Sequence, residues 1–236
     1  MRRILILKTG ETDRGVIRIH GDYDRWFTDA IGPVDGLGFL TIDVRKEPIV
    51  VPPSTAGVIV TGATSAAYDP EPWMEPLAGF LANGDASMPP ILCVCFGMQL
   101  LAAARGGSVK KNPAGWEIGG TTIELTREGA ADPLFEGIPL RFEALTTHED
   151  IVEDLPPGVT LLASNSFSRV QAFRAGEKLW GVQFHPEATT PIIERLIRLR
   201  ADQLARVDEH LESARRPAVK TGQMVLRNFV RACLAW

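Results

Sequence analysis

The sequence predicts an α/β protein built on a mostly parallel sheet, with helices on both faces and a small antiparallel β section. Three observations point to it. Short, nearly unbroken apolar runs recur between stretches of helical spacing, and continuous apolar strands fit a sheet covered on both sides. The middle of the chain, Thr121 to Phe173, differs: its short extended runs are split by Pro and Gly turns, the mark of antiparallel pairing. Finally, the run Ile91–Val94 breaks off at Cys95 and passes at once into an alanine-rich helical segment, with Gly97 at the bend. That is a strand, a sharp turn and a helix.

The elements follow in order. Ile4–Leu7, Leu37–Val44, Gly57–Thr61 and Ile91–Val94 read as buried strands. Glu71–Leu81 carries helical spacing, with Pro72 suited to a first turn. Gly97–Arg105 is a helix stopped by Gly106 and Gly107. The antiparallel section comprises Thr122–Leu125, Arg141–Leu145, Thr160–Ala163 and Val170–Phe173, after which Leu179–Phe184 returns to the core. From Pro191 to Ser213 the chain is amphipathic, with Ile192, Ile193, Leu196, Ile197, Leu199 and Leu204 set against Arg, Asp and Glu. This reads as a solvated helix, with a partner-binding surface as the alternative. Arg215-Arg216-Pro217 marks a break before a last helix, Gln223–Leu234. No repeat and no linker rich in Pro, Gly or Ser divides the chain, so residues 1–236 read as one domain with 191–236 as a helical C-terminal extension.

Composition narrows the function. A chain of 236 residues, 45% hydrophobic and 23% charged, is ordinary for a globular protein. It can bury roughly 70% of its unfolded surface without disulfide staples. The net charge of −4 gives no case for nucleic acid or acidic membranes as partners. Three cysteines, an odd and low count, fit a reducing compartment. Arg2-Arg3 before Ile4–Leu7 superficially suggests a signal peptide, but four apolar residues before Lys8 are too few. No run approaches the ~20 apolar residues of a membrane span. The expectation is a soluble, cytoplasmic protein.

The chemistry centres on Cys95. A turn between strand and helix holds its thiol exposed, in strained backbone, at the positive end of a helix, where amides favour the thiolate. Such a nucleophile needs a base, and Gly181-Val182-Gln183-Phe184-His185-Pro186-Glu187 offers one. In an extended segment His185 and Glu187 project to the same side, so the carboxylate steadies the imidazole while the imidazole faces the thiol. Oxyanion donors are expected from the backbone of Gly62 or Ala63, in the turn after Val58-Ile59-Val60-Thr61, together with the amide of Phe96. The plainer reading of Gly62 is a strand-terminating turn. Cys93 reads as core filling and Cys233 as inert. A metal reading of Cys93-x-Cys95 lacks ligands, since no second Cys pair exists and the chain has four His. The residues describe a cysteine-nucleophile enzyme acting on an amide.

Thr61-Gly62-Ala63, Cys95-Phe96-Gly97-Met98-Gln99-Leu100-Leu101-Ala102 and Gly181-Val182-Gln183-Phe184-His185-Pro186-Glu187 together resemble the class I, triad-type glutamine amidotransferases. The resemblance runs on through Asn112-Pro113, Glu117-Ile118-Gly119, Asp132-Pro133-Leu134-Phe135 and Thr147-His148-Glu149-Asp150, and is nearest to the stand-alone, GMP-synthase-like branch. It implies a flavodoxin-like sheet and release of ammonia from glutamine. Cys95 would form a γ-glutamyl thioester, His185 would act as general acid and base, and Glu187 would orient it. Gln99 matches a position that helps bind glutamine, and Thr147 and His148 fall in the segment that touches its amino-acid end. Three departures stand out: Cys93 replaces a frequent Gly, Met98 a frequent His, and Gly62-Ala63-Thr64 replaces Gly-Gly-Pro or Gly-Ser-Pro.

No cofactor is expected, because the chain has neither a phosphate loop nor a dinucleotide fingerprint. Residues 188–236 leave no room for an ATP-dependent synthetase. Two readings of the ammonia follow: a synthetase subunit docks in trans and takes it, or the protein hydrolyses a γ-glutamyl amide or peptide by itself. A non-catalytic flavodoxin-like binding or stress protein is the reading from another class.

Overall fold

The first strand, β1 (Arg2–Lys8), shows how the sequence makes a two-faced sheet. Ile4 and Ile6 bury on one side, Leu5 and Leu7 on the other, because successive side chains of a strand point to opposite faces. A computed structural model of the chain describes residues 1–84, 87–216 and 218–236. After β1 come α1 (Arg14–His20), α2 (Tyr23–Ile31), β2 (Leu37–Asp43), β3 (Thr55–Val60), α3 (Met74–Ala82), β4 (Ile91–Val94) and α4 (Phe96–Ala104). The middle holds β5 (Ser108–Lys111), β6 (Glu117–Leu125), α5 (Arg127–Ala130), β7 (Arg141–His148), β8 (Asp150–Asp154), β9 (Val159–Ser164) and β10 (Ala172–Ala175). Then follow β11 (Leu179–Val182), α6 (Thr190–Leu199), α7 (Val207–Ser213) and α8 (Val219–Ala235).

Among the described residues the main sheet has nine strands in the order β2-β1-β3-β4-β11-β10-β9-β6-β7. Each pairing from β2 to β11 is parallel. Each pairing from β11 to β7 is antiparallel, so the predicted antiparallel section extends the sheet itself. Strands β5 and β8 form a separate antiparallel ribbon. Residues from α2 and α8 pack with Ile4, Ile59 and Leu92 on one face, and α3 and α4 pack with Leu5, Val60 and Cys93 on the other. Cys93 fills the core, and burial pushes its thiol well above the ordinary range. Cys233 packs against Gly57, where an added methyl would stand 2.2 Å from its Sγ, and burial raises its pKa to about 12.

Three expectations need correction. The helix after β3 begins at Met74 rather than Glu71, because the Glu71 carbonyl already accepts the Met74 amide in a preceding turn that contains Pro72. The proline of its first turn is Pro76, where a missing N–H loses no helical bond. The amphipathic stretch is two helices, not one. The stripe that fastens α6 ends at Ile197, Leu199 is exposed, and the chain turns before α7 starts behind Arg206 in left-handed backbone (φ 57°). The last helix starts at Val219, four residues ahead of expectation; Pro217, the end of the predicted break, lies outside the described residues. A third cluster joins α1, α2, α6 and α7 through Val16, Tyr23, Trp26, Ile193 and Leu211, and it sets the extension beside the carboxyl edge of the sheet. Among the described residues no helix is long and apolar enough to cross a membrane.

Candidate active site

Parallel strands place all their carboxyl ends at one edge, and loops there gather functional groups. Four neighbouring strands supply this site: β1 leads into Thr9-Gly10, β3 into Thr61-Gly62-Ala63, β4 into Cys95, and β11 into Gln183–Glu187. The Cys95 amide donates to the Val182 carbonyl at 2.8 Å, which ties the two ends together. Cys95 itself has φ 52° and ψ −108°, a backbone shape that non-glycine residues rarely take. It stands at the start of α4 and, contrary to the exposed thiol expected, is buried, 6% exposed and lining a pocket. Gly97 permits the bend, because a methyl there would stand 2.8 Å from the Val60 carbonyl oxygen.

His185 and Glu187 meet by a different geometry from the extended one expected. Strand β11 ends at Val182, and the Ala188 amide donates to the His185 carbonyl at 3.2 Å, closing a turn with Pro186 in its second position. The His185 Nδ1 and Glu187 Oε1 atoms are 2.7 Å apart, and both residues are buried. Burial alone would lower the imidazole pKa. The Glu187 carboxylate, with negative charge on Cys95, outweighs it and raises the value to about 10. Nε2 of His185 has no hydrogen-bond partner among the described residues. From behind, α8 supports the turn: Gly222 is so close that a methyl would come within 2.6 Å of the Pro186 oxygen.

Gly62 lies against both predicted reacting residues. A methyl built on it would be 3.2 Å from His185 Cε1 and 3.6 Å from Cys95 Cβ. Its carbonyl is held from the other side, 2.9 Å from the Thr9 hydroxyl. In a trans peptide the C=O and the following N–H point in opposite directions. With the Gly62 oxygen turned to Thr9, the Ala63 amide points away from Thr9, and Ala63 lines the pocket. The amides of Ala63 and Phe96 are not engaged in any hydrogen bond among the described residues.

These groups open on a pocket of about 270 Å³ that contains Cys95, His185, Gln99, Thr147 and His148. Gln99 is fixed by its Nε2, which donates to the Asp150 carbonyl at 2.9 Å and to Gln183 Oε1 at 3.1 Å. Thr147 has a buried hydroxyl without a partner among the described residues. His148 is engaged at both ring nitrogens, Nδ1 with the Asp150 carbonyl (3.0 Å) and Nε2 with Glu117 (2.8 Å). It braces the loop that holds Gln99, and neither ring nitrogen is left over for a ligand. Sequence reasoning missed Thr9, Tyr23, Trp116 and Arg200, and gave no role to Glu117. Glu117 opens the quoted Glu117-Ile118-Gly119 motif and Trp116 precedes it, but the other three carry no local signal.

A thiol in strained backbone, a carboxylate-held imidazole and two amides without hydrogen bonds among the described residues are thus gathered at one edge of the sheet. The chain belongs to the family "Glutamine amidotransferase class-I", whose model matches residues 54–197. It is 31% identical over 172 residues to a glutamine-hydrolyzing GMP synthase of Thermosipho melanesiensis, covering 72% of this chain and 31% of that one. It spans less than a third of the GMP synthases that it matches. It is also 27% identical to Gamma-glutamyl peptidase 5 of Arabidopsis thaliana, covering 74% of this chain and 73% of that one. A crystal structure of a glutamine amidotransferase from Thermotoga maritima superposes with a TM-score of 0.75 at 24% identity, covering 98% of both chains. With it the chain shares the flavodoxin-like fold, a mixed sheet between helices.

Proposed function

We propose that the protein hydrolyses the side-chain amide of glutamine, releasing ammonia, through a γ-glutamyl thioester on Cys95. One observation carries the reading: Cys95, in strained backbone at the head of α4, shares a pocket with His185, whose ring is held by the buried Glu187. The Cys95 sulfur attacks the amide carbon, and the oxygen takes up the electron pair between the amides of Ala63 and Phe96. Collapse breaks the C–N bond while His185 gives its Nε2 proton to the departing nitrogen. Water then attacks the thioester, and His185 takes a proton from it. The C–S bond breaks, restoring the thiolate and leaving glutamate. Glu187 holds the imidazole throughout. Gln99 and the Thr147-His148 segment receive the amino-acid end, with Thr147 offering its unpartnered hydroxyl and His148 acting by bracing Asp150 and, through it, Gln99.

The ammonia goes to a synthetase subunit docked in trans, by analogy with the glutamine-hydrolyzing GMP synthases. A second reading, self-sufficient hydrolysis of γ-glutamyl amides or peptides, is favoured by the wall that Tyr23, Leu196 and Arg200 add to the pocket. A non-catalytic module would have no use for the 2.7 Å His185–Glu187 contact.

The test is turnover. The purified protein is incubated alone with glutamine and several γ-glutamyl amides, following glutamate and ammonia, with Cys95→Ser as the blank. Turnover that depends on Cys95 supports the triad. Silence with Cys95 still alkylated by an electrophilic glutamine analogue supports a subunit that needs its synthetase. Neither turnover nor labelling refutes the reading.

A further inference from the structure

Among the described residues Arg200 is a cation without an ion pair, and the acid that acts on it, Asp13, does so only at longer range. It follows the last turn of α6, is half-buried and lines the pocket that contains Cys95. Its guanidinium carbon lies 4.8 Å from the centre of the Trp116 ring, and Nη1 donates to the Leu196 carbonyl at 3.2 Å. No carboxylate pairs with it among the described residues. The other charged groups of the pocket are engaged: Lys111 stands 3.0 Å from Glu149, and Asp150 accepts from the Tyr68 hydroxyl at 3.1 Å. Burial draws the Arg200 pKa down, against the attraction of Tyr23, Cys95 and, at longer range, Asp13. A charge removed from water without a partner is unfavourable. Stacking on an indole offsets part of that and holds the guanidinium plane with further N–H donors available.

The pocket residues fall into two contact groups. Gln99, Asp150, Tyr68, Lys111 and Glu149 are joined by hydrogen bonds and an ion pair. Tyr23, Leu196, Trp116 and Arg200 are joined by packing and stacking. The first group includes Gln99, assigned above to the amino-acid end of the glutamyl half. The second belongs to the side of the general acid: α6 begins directly after the His185–Glu187 turn and packs with Ala188 and Tyr23. A leaving amine must stand beside the imidazole that protonates it, so the amine half of the substrate extends toward Arg200.

We propose that Arg200 receives a carboxylate carried by the amine half of the substrate, so that γ-glutamyl peptides with a free C-terminal carboxylate are the substrate class of this pocket. This rests on the Cys95 reading. The step is the hydrolysis already written with an amino acid in place of ammonia. Its C–N bond breaks, His185 protonates its nitrogen, and water converts the thioester to glutamate. Arg200 neither gives nor takes a proton; its planar fork matches a carboxylate.

The experiment compares γ-glutamylglycine with γ-glutamylglycinamide, identical but for the carboxylate, with glutamine as a third substrate. In the wild type kcat/KM should favour γ-glutamylglycine over the amide by about tenfold or more, the worth of a hydrogen bond to a charged group. Arg200→Gln should bring that ratio close to one, and Arg200→Lys should restore part of it. An unchanged ratio in Arg200→Gln overturns the proposal. So does an equal loss on all three substrates, which would place Arg200 on the glutamyl half or in the fold. Binding of the two dipeptides to Cys95→Ala protein, followed by calorimetry, separates this from failure of the triad. Preference for the carboxylate that disappears with Arg200→Gln upholds the anchor even where nothing turns over; equal binding of the two rejects it.

Discussion

The hydroxyl of Thr9 lies 2.9 Å from the carbonyl oxygen of Gly62, across the gap between the ends of β1 and β3. Thr9 also contacts the Thr61 carbonyl and hydroxyl, each at 3.0 Å, and all three residues are fully or largely withdrawn from solvent. This holds the Gly62–Ala63 peptide from the neighbouring strand, with the Ala63 amide directed away from Thr9, and on the proposed reading that amide is an oxyanion donor. Thr9→Val, nearly the same in shape, should lower kcat by about tenfold with little change in KM, part of the hundredfold or more that loss of a whole oxyanion donor costs. Thr9→Ser should retain most activity. Steady-state kinetics of the two variants decides it; an unchanged kcat in Thr9→Val would remove Thr9 from the mechanism.

The raised pKa of His185 makes a statement about stability. Its folded value, about 10, exceeds the ordinary imidazole value of about 6.5, so the folded state holds this proton more tightly. The associated stability is fully present below pH 6.5 and is lost as pH rises toward 10. The Tm should therefore fall between pH 7 and pH 9. In Glu187→Gln, where the carboxylate no longer holds the proton, the slope over that interval should be clearly shallower. The buried thiols Cys93 and Cys233 are common to both proteins and cancel in the comparison. Parallel slopes in calorimetric scans would contradict the assignment.

Glu117 accepts from His148, Gln171 and Asn165 while only 5% exposed. Removing it strands two buried polar groups, His148 and Gln171, and the half-buried Asn165, and truncating one member of a buried charged network typically costs about 3–5 kcal/mol. Glu117→Ala should therefore unfold at much lower denaturant. Glu117→Gln keeps the shape and should fold, but it loosens His148 and with it the Asp150 carbonyl that fixes Gln99. The expected result is a KM for glutamine raised several-fold with a smaller change in kcat. A normal KM in a folded Glu117→Gln would show that the brace does not reach the substrate.

Much of this was legible in the residues because their signals are local. Ile91–Val94 is bounded by its own composition, and the structure returns it unaltered. Cys95 and Gly97 announce a turn by their positions alone, and of the residues that the family motifs name, Cys95 and His185 line one pocket while Glu187 stands behind the imidazole. What stayed hidden depends on contacts across long stretches of chain. Helices α1 and α2 are short and are held by Asp13 and Asp22 at their starts and by packing on α6, not by a long apolar period. Thr9 follows an unremarkable strand, and its role exists only because β1 lies beside β3. Arg200 reads as one of many charges on a solvated helix; only the end of α6 turns it onto Trp116. The His185–Glu187 pairing was expected for the wrong geometric reason, since a proline turn and not strand alternation joins the two.

The closeness of α8 to the His185-Pro186-Glu187 turn gives a test that separates positioning from stability. On helix propensity alone, glycine to alanine inside a helix is favourable by about 0.5–1 kcal/mol. Gly79 in α3 shows that case: a methyl there meets nothing within 4 Å, and Gly79→Ala should raise the Tm with activity intact. Gly222 is the opposite case, for its methyl would stand 2.6 Å from the Pro186 oxygen and 3.0 Å from its Cα. Backbone must move, either α8 away from the sheet or Pro186 toward the pocket. Crowding of this kind costs typically about 1–3 kcal/mol. Because the displaced residue sits between His185 and Glu187, a shift of even a fraction of an ångström reaches the imidazole. Gly222→Ala should then lose kcat by about tenfold or more, since a 1 Å misplacement alone costs about a hundredfold, and it should do so at temperatures where it is still fully folded. Circular dichroism beside kinetics distinguishes the outcomes: a variant that loses only Tm would mean that α8 yields and that the turn is held by the sheet alone.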